Sequence, residues 1–187
     1  MRINHQNLRM DRYARVLLGM AAIAGLAGCA SAADPGAMTV SSTASARPFP
    51  AALQHSMCVR TVTGGEATNP MWVSKVDNNG FRAALSSTLE GAGLAASSAN
   101  CSYPIDANLL GLSQPSIGLD MTVTSHVNYK VYDRSGQPLL LATVDAPYTA
   151  KMSDAFIAAQ RLKLANEGSI RASIEQLLDK LREASPK

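Results

Sequence analysis

Apolar and polar positions along this chain alternate in two distinct periods. Over 117–132 the odd positions Ile117, Leu119, Met121, Val123, Val127, Tyr129 and Val131 are apolar, while Asp120, Thr122, Thr124, His126, Asn128 and Lys130 are polar. Period two sustained this long predicts a strand with one buried and one wet face. Asp133-Arg134-Ser135-Gly136 reads as a turn. Residues 138–149 resume the alternation, with Leu140, Ala142, Val144, Ala146 and Tyr148 on one face, so the two strands should form an antiparallel hairpin. Tyr103, Ile105, Ala107 and Leu109 alternate with Pro104, Asp106 and Asn108 to give an earlier strand, which Ser113-Gln114-Pro115-Ser116 interrupts. Residues 56–63 read as another strand from their β-branched content. Between those two the spacing becomes helical: Phe81, Leu85, Thr88, Leu89 and Ala92 follow the capping run Asp77-Asn78-Asn79. A second helix is expected over 153–183, capped by Ser153 or Asp154. Its stripe of Ala155, Ala158, Leu162 and Ala165 continues as Ile170, Ile174, Leu177, Leu178 and Leu181 after a shift near Gly168, where a bend is expected.

The element order is β-α-β-β-β-α. It predicts an α+β fold: a two-layer sandwich with a mostly antiparallel sheet, two helices on one face and the other face exposed. Leu139-Leu140-Leu141 lies on a strand that could stand at a sheet edge and pair with another chain.

The amino-terminal residues do not belong to this pattern. Arg12 and Arg15 precede an apolar run, Val16–Ala27, of 12 residues. A bilayer crossing needs about 20 helical residues, so the run is a secretory signal rather than a span. Leu26-Ala27-Gly28-Cys29 resembles the lipobox of bacterial lipoproteins. That resemblance implies cleavage before Cys29, a diacylglyceryl thioether on its sulfur and an acylated new amino terminus. Two or more acyl chains make such an anchor stable. Ala30 in place of an aspartate implies delivery to the outer membrane, with the domain facing the periplasm. Residues 1–28 are therefore expected as signal peptide, 29–53 (rich in Ala, Ser, Thr and Pro) as a lipidated flexible tether, and 54–187 as one α+β domain.

Charge changes its meaning once the signal is set apart. The whole chain carries a formal +3. Arg2, Arg9, Arg12 and Arg15 against Asp11 account for all of it, leaving 13 basic and 13 acidic residues from Cys29 onward. A nucleic-acid partner needs a basic surplus, so none is expected. Cys58 and Cys101 in an oxidising compartment read as a disulfide, against the alternative of two separate buried thiols.

The residues offer little recognisable chemistry. His55, His126, Cys58 and Cys101 have no metal-ligand spacing, so neither metal nor cofactor is expected. There is no G-x-S-x-G elbow and no phosphate loop around Thr63-Gly64-Gly65. His126 reads as a solvated surface histidine. Asp106, Asp120 and Asp145 lie on polar strand faces where two could approach each other, although an open face offers no pocket to shift their pKa values. No catalytic residue is assigned. Asn69, Met71 and Trp72, in the loop after the first strand, are the candidate partner contacts, Trp72 being the sole tryptophan. The competing reading is a Trp72 that closes one end of the core. Asn166-Glu167-Gly168-Ser169, near Arg161 and Arg171, reads as a solvated helix face with a Glu167–Arg171 pair.

Order and lipobox together resemble small envelope lipoproteins: the lipopolysaccharide-assembly lipoprotein, the auxiliary lipoproteins of lipid-exporting ABC systems and the amino-terminal part of the curli secretion lipoprotein. Thr68-Asn69-Pro70-Met71-Trp72, Thr122-Val123-Thr124-Ser125, Pro147-Tyr148-Thr149 and Ala165-Asn166-Glu167-Gly168-Ser169-Ile170-Arg171 are similar to a group of uncharacterised bacterial lipoproteins. The resemblance implies location and fold, not chemistry. The expected function is a non-enzymatic, membrane-anchored module binding an envelope protein or serving its assembly. The alternatives are a membrane-tethered hydrolase using carboxylates or His126, and a carrier of an apolar ligand held between helices and sheet.

Overall fold

The computed structural model describes residues 30–41, 48–69, 73–97 and 101–186. The expected signal segment, the lipid site Cys29, and Met71 and Trp72 lie outside these residues. In chain order the elements are helix α1 (Pro35–Met38), a 3-10 turn (Ala51–Leu53), strand β1 (Met57–Thr63), helix α2 (Asn78–Gly91), strands β2 (Tyr103–Ser113), β3 (Met121–Tyr132) and β4 (Pro138–Ala150), and helix α3 (Ala158–Glu183). The strands form one sheet in the order β1-β2-β3-β4. β1 and β2 are parallel across the α2 crossover, and the other two pairs are antiparallel. This is the expected α+β two-layer sandwich with an additional short helix.

The period-two pattern decides which face is buried. Ile105, Ala107, Val127, Tyr129, Val131, Val144 and Ala146 point inward and are buried under Phe81, Leu85 and Leu89 of α2 and Ile170, Ile174, Leu177 and Leu181 of α3. Phe81 meets Tyr129 edge-on, with centroids 6.4 Å apart. Buried hydroxyls pin α3 to the sheet. Ser125 Oγ donates to the Ser169 carbonyl at 3.0 Å, and the Tyr129 and Ser173 hydroxyls share a hydrogen bond at 3.0 Å. Burial pushes the Tyr129 hydroxyl well above its usual pKa, with the Ser173 bond opposing it weakly. Cys58 and Cys101 are joined in a disulfide, Cα atoms 5.6 Å apart, which ties the head of β1 to the approach to β2.

Four local expectations are corrected. Residues 30–41, expected in the flexible tether 29–53, are built into the domain. Asp34 caps α1 by accepting from Gly36 N at 2.9 Å, and Pro35 begins it. Met38 and Val40 are buried with only 1% and 5% exposure. α1 packs against both α2 and α3, which scarcely meet each other. Backbone groups dock as well: Asp34 N donates to Glu167 Oε1 (2.7 Å), Val40 N donates to Thr88 Oγ1 (3.0 Å), and the Ala37 carbonyl accepts from Arg171 (2.8 Å). The Ala/Ser/Thr-rich composition conceals two apolar side chains that fill a slot between helices.

The second correction is that β3 begins at Met121, so Ile117 and Leu119 lie in an exposed loop and not on the strand. Third, α3 starts at Ala158 with Ile157 in the cap position, because Asp154 spends a carboxylate oxygen on Lys151 N in the preceding turn. Fourth, Asn166, Glu167, Gly168 and Ser169 are buried. Glu167 pairs with Lys163 at 3.5 Å, and the helix is unbroken at Gly168, where an added Cβ would stand 2.2 Å from Tyr148 Cδ1. That glycine permits close helix–sheet approach.

The sheet edges are β1 and β4. Leu139 and Leu140 pack against the core, Leu141 is exposed, and Pro147 removes one amide donor from β4.

Candidate functional site

The outward face of the sheet carries Arg60, Thr61, Asp106, Asn108, Asn128, Lys130, Thr143 and Asp145. Three register slips interrupt the ladders, one of them at Val131/Tyr132 in the hairpin, and the other two shape this face. Ladder register slips at Arg60 in β1 and at Leu110 in β2. Each extra residue reverses the inward–outward parity of the positions beyond it. In β1 the slip leaves Arg60 and Thr61 both facing out, and both bind Asp106: Arg60 Nε and Thr61 Oγ1 donate to Asp106 Oδ1 at 2.9 Å and 2.6 Å, and Arg60 also pairs with Oδ2. The Arg60 bonds hold the Asp106 carboxyl below the usual carboxylate range, aided by Thr61 and opposed by partial burial. Arg60 also lies over the Tyr132 ring, 4.6 Å from its centroid. Thr61, Thr63, Asp106, Asn108, Asn128 and Lys130 line a shallow depression of about 220 Å³.

In β2 the slip has a sharper effect. Odd positions from Tyr103 to Leu109 face the core. After Leu110 it is Leu112 that packs inward and Ser113 that faces out. Ser113 thereby meets His126 of β3, which in turn sits opposite Asp145 of β4. His126 Nε2 and Ser113 Oγ are 2.9 Å apart, and His126 Nδ1 and Asp145 Oδ1 are 2.7 Å apart. With Asp145 ionised, Nδ1–H donates to it and Nε2 is left to accept from the serine hydroxyl, the polarity of a serine nucleophile with its base and orienting acid. His126 is thus a member of a hydrogen-bonded row rather than a lone surface histidine. Asp106 and Asp145 each take a basic partner instead of each other.

The row lacks two things acyl transfer uses. Its His126 and Asp145 side chains are 36% and 65% exposed, so no enclosure strengthens the electrostatics. It also stands on sheet strands rather than at a helix start that would aim free backbone donors at an oxyanion.

The second region is the end of the molecule where β2 stops and β3 starts. Gly64, at φ +81°, turns the chain where a Cβ would stand 2.0 Å from the Leu109 carbonyl oxygen. The loop after it is internally bonded: Glu66 N donates to the Val76 carbonyl at 2.9 Å, Thr68 Oγ1 donates to the Lys75 carbonyl at 3.0 Å, and Lys75 pairs with Glu66 at 3.3 Å. Asn69 in this loop is exposed. Of the three expected partner contacts it alone lies within the described residues. Beneath the loop, buried Asn166 donates to the Ser74 carbonyl at 2.9 Å and accepts from Gln114 at 2.7 Å. Ser74 Oγ donates to the Ser31 carbonyl at 2.9 Å, so the amino-terminal segment enters the domain at this end. None of these residues is visible as a cluster in the sequence.

Among the described residues no group of three or more His, Cys, Asp or Glu could hold a metal ion, and no helix is long and apolar enough to cross a membrane. The space an apolar ligand would need between the layers is occupied by Met38, Phe81, Tyr129 and Ile174.

No family model matches the chain, and no curated protein matches it in sequence. Solved structures are similar to it. A Xanthomonas campestris protein of the DUF330 family is 11% identical, with a TM-score of 0.52, covering 82% of this chain and 93% of its own. A minor lipoprotein from Acinetobacter baumannii is 12% identical with a TM-score of 0.45, covering 69% and 93%. The lipoprotein GNA1162 from Neisseria meningitidis is 12% identical with a TM-score of 0.38, covering 67% and 98%. The first of these likenesses establishes a shared fold.

Proposed function

We propose that this protein is a bacterial envelope lipoprotein, anchored by lipid on Cys29 in the outer membrane with its domain in the periplasm, and that it acts as a non-enzymatic binding module. Its partner is another envelope protein docking on the polar sheet face. The observation that carries this reading is the asymmetry of the sheet: one face lies under helices, and the other is mainly polar, with Leu110 and Leu141 exposed among the polar side chains, and has no covering layer among the described residues. Short side chains that already pair across strands, such as Asn128 with Thr143 at 3.1 Å and Thr122 with Thr149 at 2.8 Å, make a flat surface that can exchange hydrogen bonds with a partner at little entropic penalty. The lipobox and the similar lipoprotein structures support the location. Asn69, exposed in the loop after β1, is a second candidate contact, and Met71 and Trp72 are expected from the sequence to contribute to it.

In-cell photocrosslinking tests it. A photoreactive side chain replacing Asn128 should give one dominant envelope-protein adduct, while the same probe at Ser135 in the far turn should give none. Uniform weak labelling from both positions refutes the docking face. Mass spectrometry of the mature amino-terminal peptide, compared with Cys29→Ser, reads the lipid directly.

One observation favours a second reading, a membrane-tethered serine hydrolase: the Ser113–His126–Asp145 row. A fluorophosphonate probe that labels the protein stoichiometrically, with labelling abolished in both Ser113→Ala and His126→Ala, would establish it and displace the binding-module reading. An unlabelled native protein removes it.

A further inference from the structure

We infer that the loops 114–120 and 151–157 form a membrane-contact surface that seats in the lipid interface beside the anchor; this rests on lipidation of Cys29. Seven large hydrophobic side chains are exposed among the described residues, and five of them are in these two loops: Ile117 (88%), Leu119 (73%), Met152, Phe156 (81%) and Ile157. Isolated exposed apolar residues are ordinary, whereas a patch of this kind marks an interaction site.

The two loops are neighbours. Met121 pairs with Ala150 where β3 begins and β4 ends, and Asp120 Oδ1 accepts from Met152 N at 3.0 Å. Their shape is held from inside. Arg161, itself buried, donates to the carbonyls of Ala155 at 2.6 Å and Phe156 at 2.8 Å, and Asp154 accepts from Lys151 N at 2.8 Å. A buried guanidinium therefore fixes the very segment that displays Phe156 to solvent. The carboxylates of Asp120 and Asp154 are occupied by backbone amides of the loops.

The anchor emerges at the same end. Ser31 is bonded to Ser74, and the Ser74 carbonyl accepts from Gln114, the first residue of the Ile117 loop. Cys29 lies one residue before Ala30, which is itself buried in the domain. Acyl chains on Cys29 would enter the bilayer next to the apolar loops, with no tether between. A lipid surface is the occupant that fits: aliphatic and aromatic side chains on a fixed scaffold, adjoining a lipid attachment point, suit the shallow headgroup boundary. The strands then rise from the membrane, and the polar sheet face is presented sideways to partners.

The test uses lipidated protein in vesicles of phosphatidylethanolamine and phosphatidylglycerol. An environment-sensitive fluorophore is placed on Phe156→Cys, on Ile117→Cys and, as control, on Ser135→Cys in the opposite turn. Nitroxide-labelled lipid should quench positions 156 and 117 but not 135, and aqueous iodide should quench 135 several-fold more strongly than the other two. Equal iodide access at 156 and 135 in floated vesicles overturns the inference. So does shielding at 156 without lipid quenching, which would identify a protein partner or a second copy as the occupant. The anchor is read separately: a mass without lipid defeats that reading alone. The same fluorophores, on unlipidated protein mixed with vesicles, then decide the loops, and iodide access at 156 unchanged by added vesicles overturns the inference in that case too.

Discussion

Met38→Ala separates a built-in amino-terminal segment from a free one. Met38 is 1% exposed in the slot between α2 and α3, and its Cε lies 3.6 Å from where a Cβ on Gly80 would stand, so it rests on the first turn of α2. Deleting a fully buried methionine side chain destabilises by about 2–5 kcal/mol, depending on how far the site can close. Here Met38 is carried by a four-residue helix that can move inward. The expected loss therefore sits at the lower end, about 2–3 kcal/mol. The assay is urea unfolding of the mature protein, followed by far-ultraviolet circular dichroism with the disulfide intact, with an unchanged m-value expected. In thermal melts a domain of this size moves by about 2–4 °C per kcal/mol, which gives a fall of roughly 4–12 °C. Met152→Ala, at a position 41% exposed, is the matched control and should stay within about 0.5 kcal/mol of the parent. A Met38→Ala protein equally indistinguishable from the parent would refute the reasoning and return residues 30–41 to a tether.

Gly168→Ala should destabilise by about 1–3 kcal/mol even though alanine favours helix, because its Cβ would stand 2.2 Å from Tyr148 Cδ1; combining it with Tyr148→Ala in a double-mutant cycle should recover most of the loss, and strict additivity would refute the contact. Replacing Cys58 and Cys101 together by alanine should lower stability by about 2–4 kcal/mol in chemical unfolding, the usual effect of opening a disulfide-closed loop. The depressed pKa of Asp106 makes its pairing with Arg60 stabilising above the ordinary aspartate value of about 3.9, with the contribution lost as pH falls through the lower folded value. Carboxyl NMR should place its midpoint below that ordinary value, and a midpoint at or above it would overturn the assignment. The pair is partly exposed, so Asp106→Asn should flatten the acid limb of the stability profile by less than about 1 kcal/mol.

The sheet and both long helices are legible in the sequence because each buries one face, and burial imposes a period that hydrophobic residues report. Features set by breaks in that period are hidden. Ser113 joins His126 only because Leu110 bulges out of register, and alternation read straight through β2 would turn Ser113 into the core. Gly111 is the one local hint, since glycine within a strand often marks a bulge. In β3 the alternation runs past the end of hydrogen bonding, so Ile117 and Leu119 resemble strand residues when they are exposed loop residues. The polar run Asn166–Ser169 reads as solvent-facing by composition. It is buried because Ser74, Asp34 and Tyr148 supply partners from remote parts of the chain. The amino-terminal segment is illegible for the same reason: its fit depends on a slot whose two walls come from α2 and α3.

That slot imposes an order of events in time. Residues 30–41 are made before the rest of the domain, yet Asp34 must find Glu167, 133 positions later, before it can settle. The groove has no second wall until α3, the final element, has packed. If Cys29 is lipidated as proposed, the modifying enzyme would have to act before Ala30 is withdrawn into the fold. On the proposed lipidation, chemistry at Cys29 would compete with completion of the domain, and the late arrival of the last helix would leave time for it.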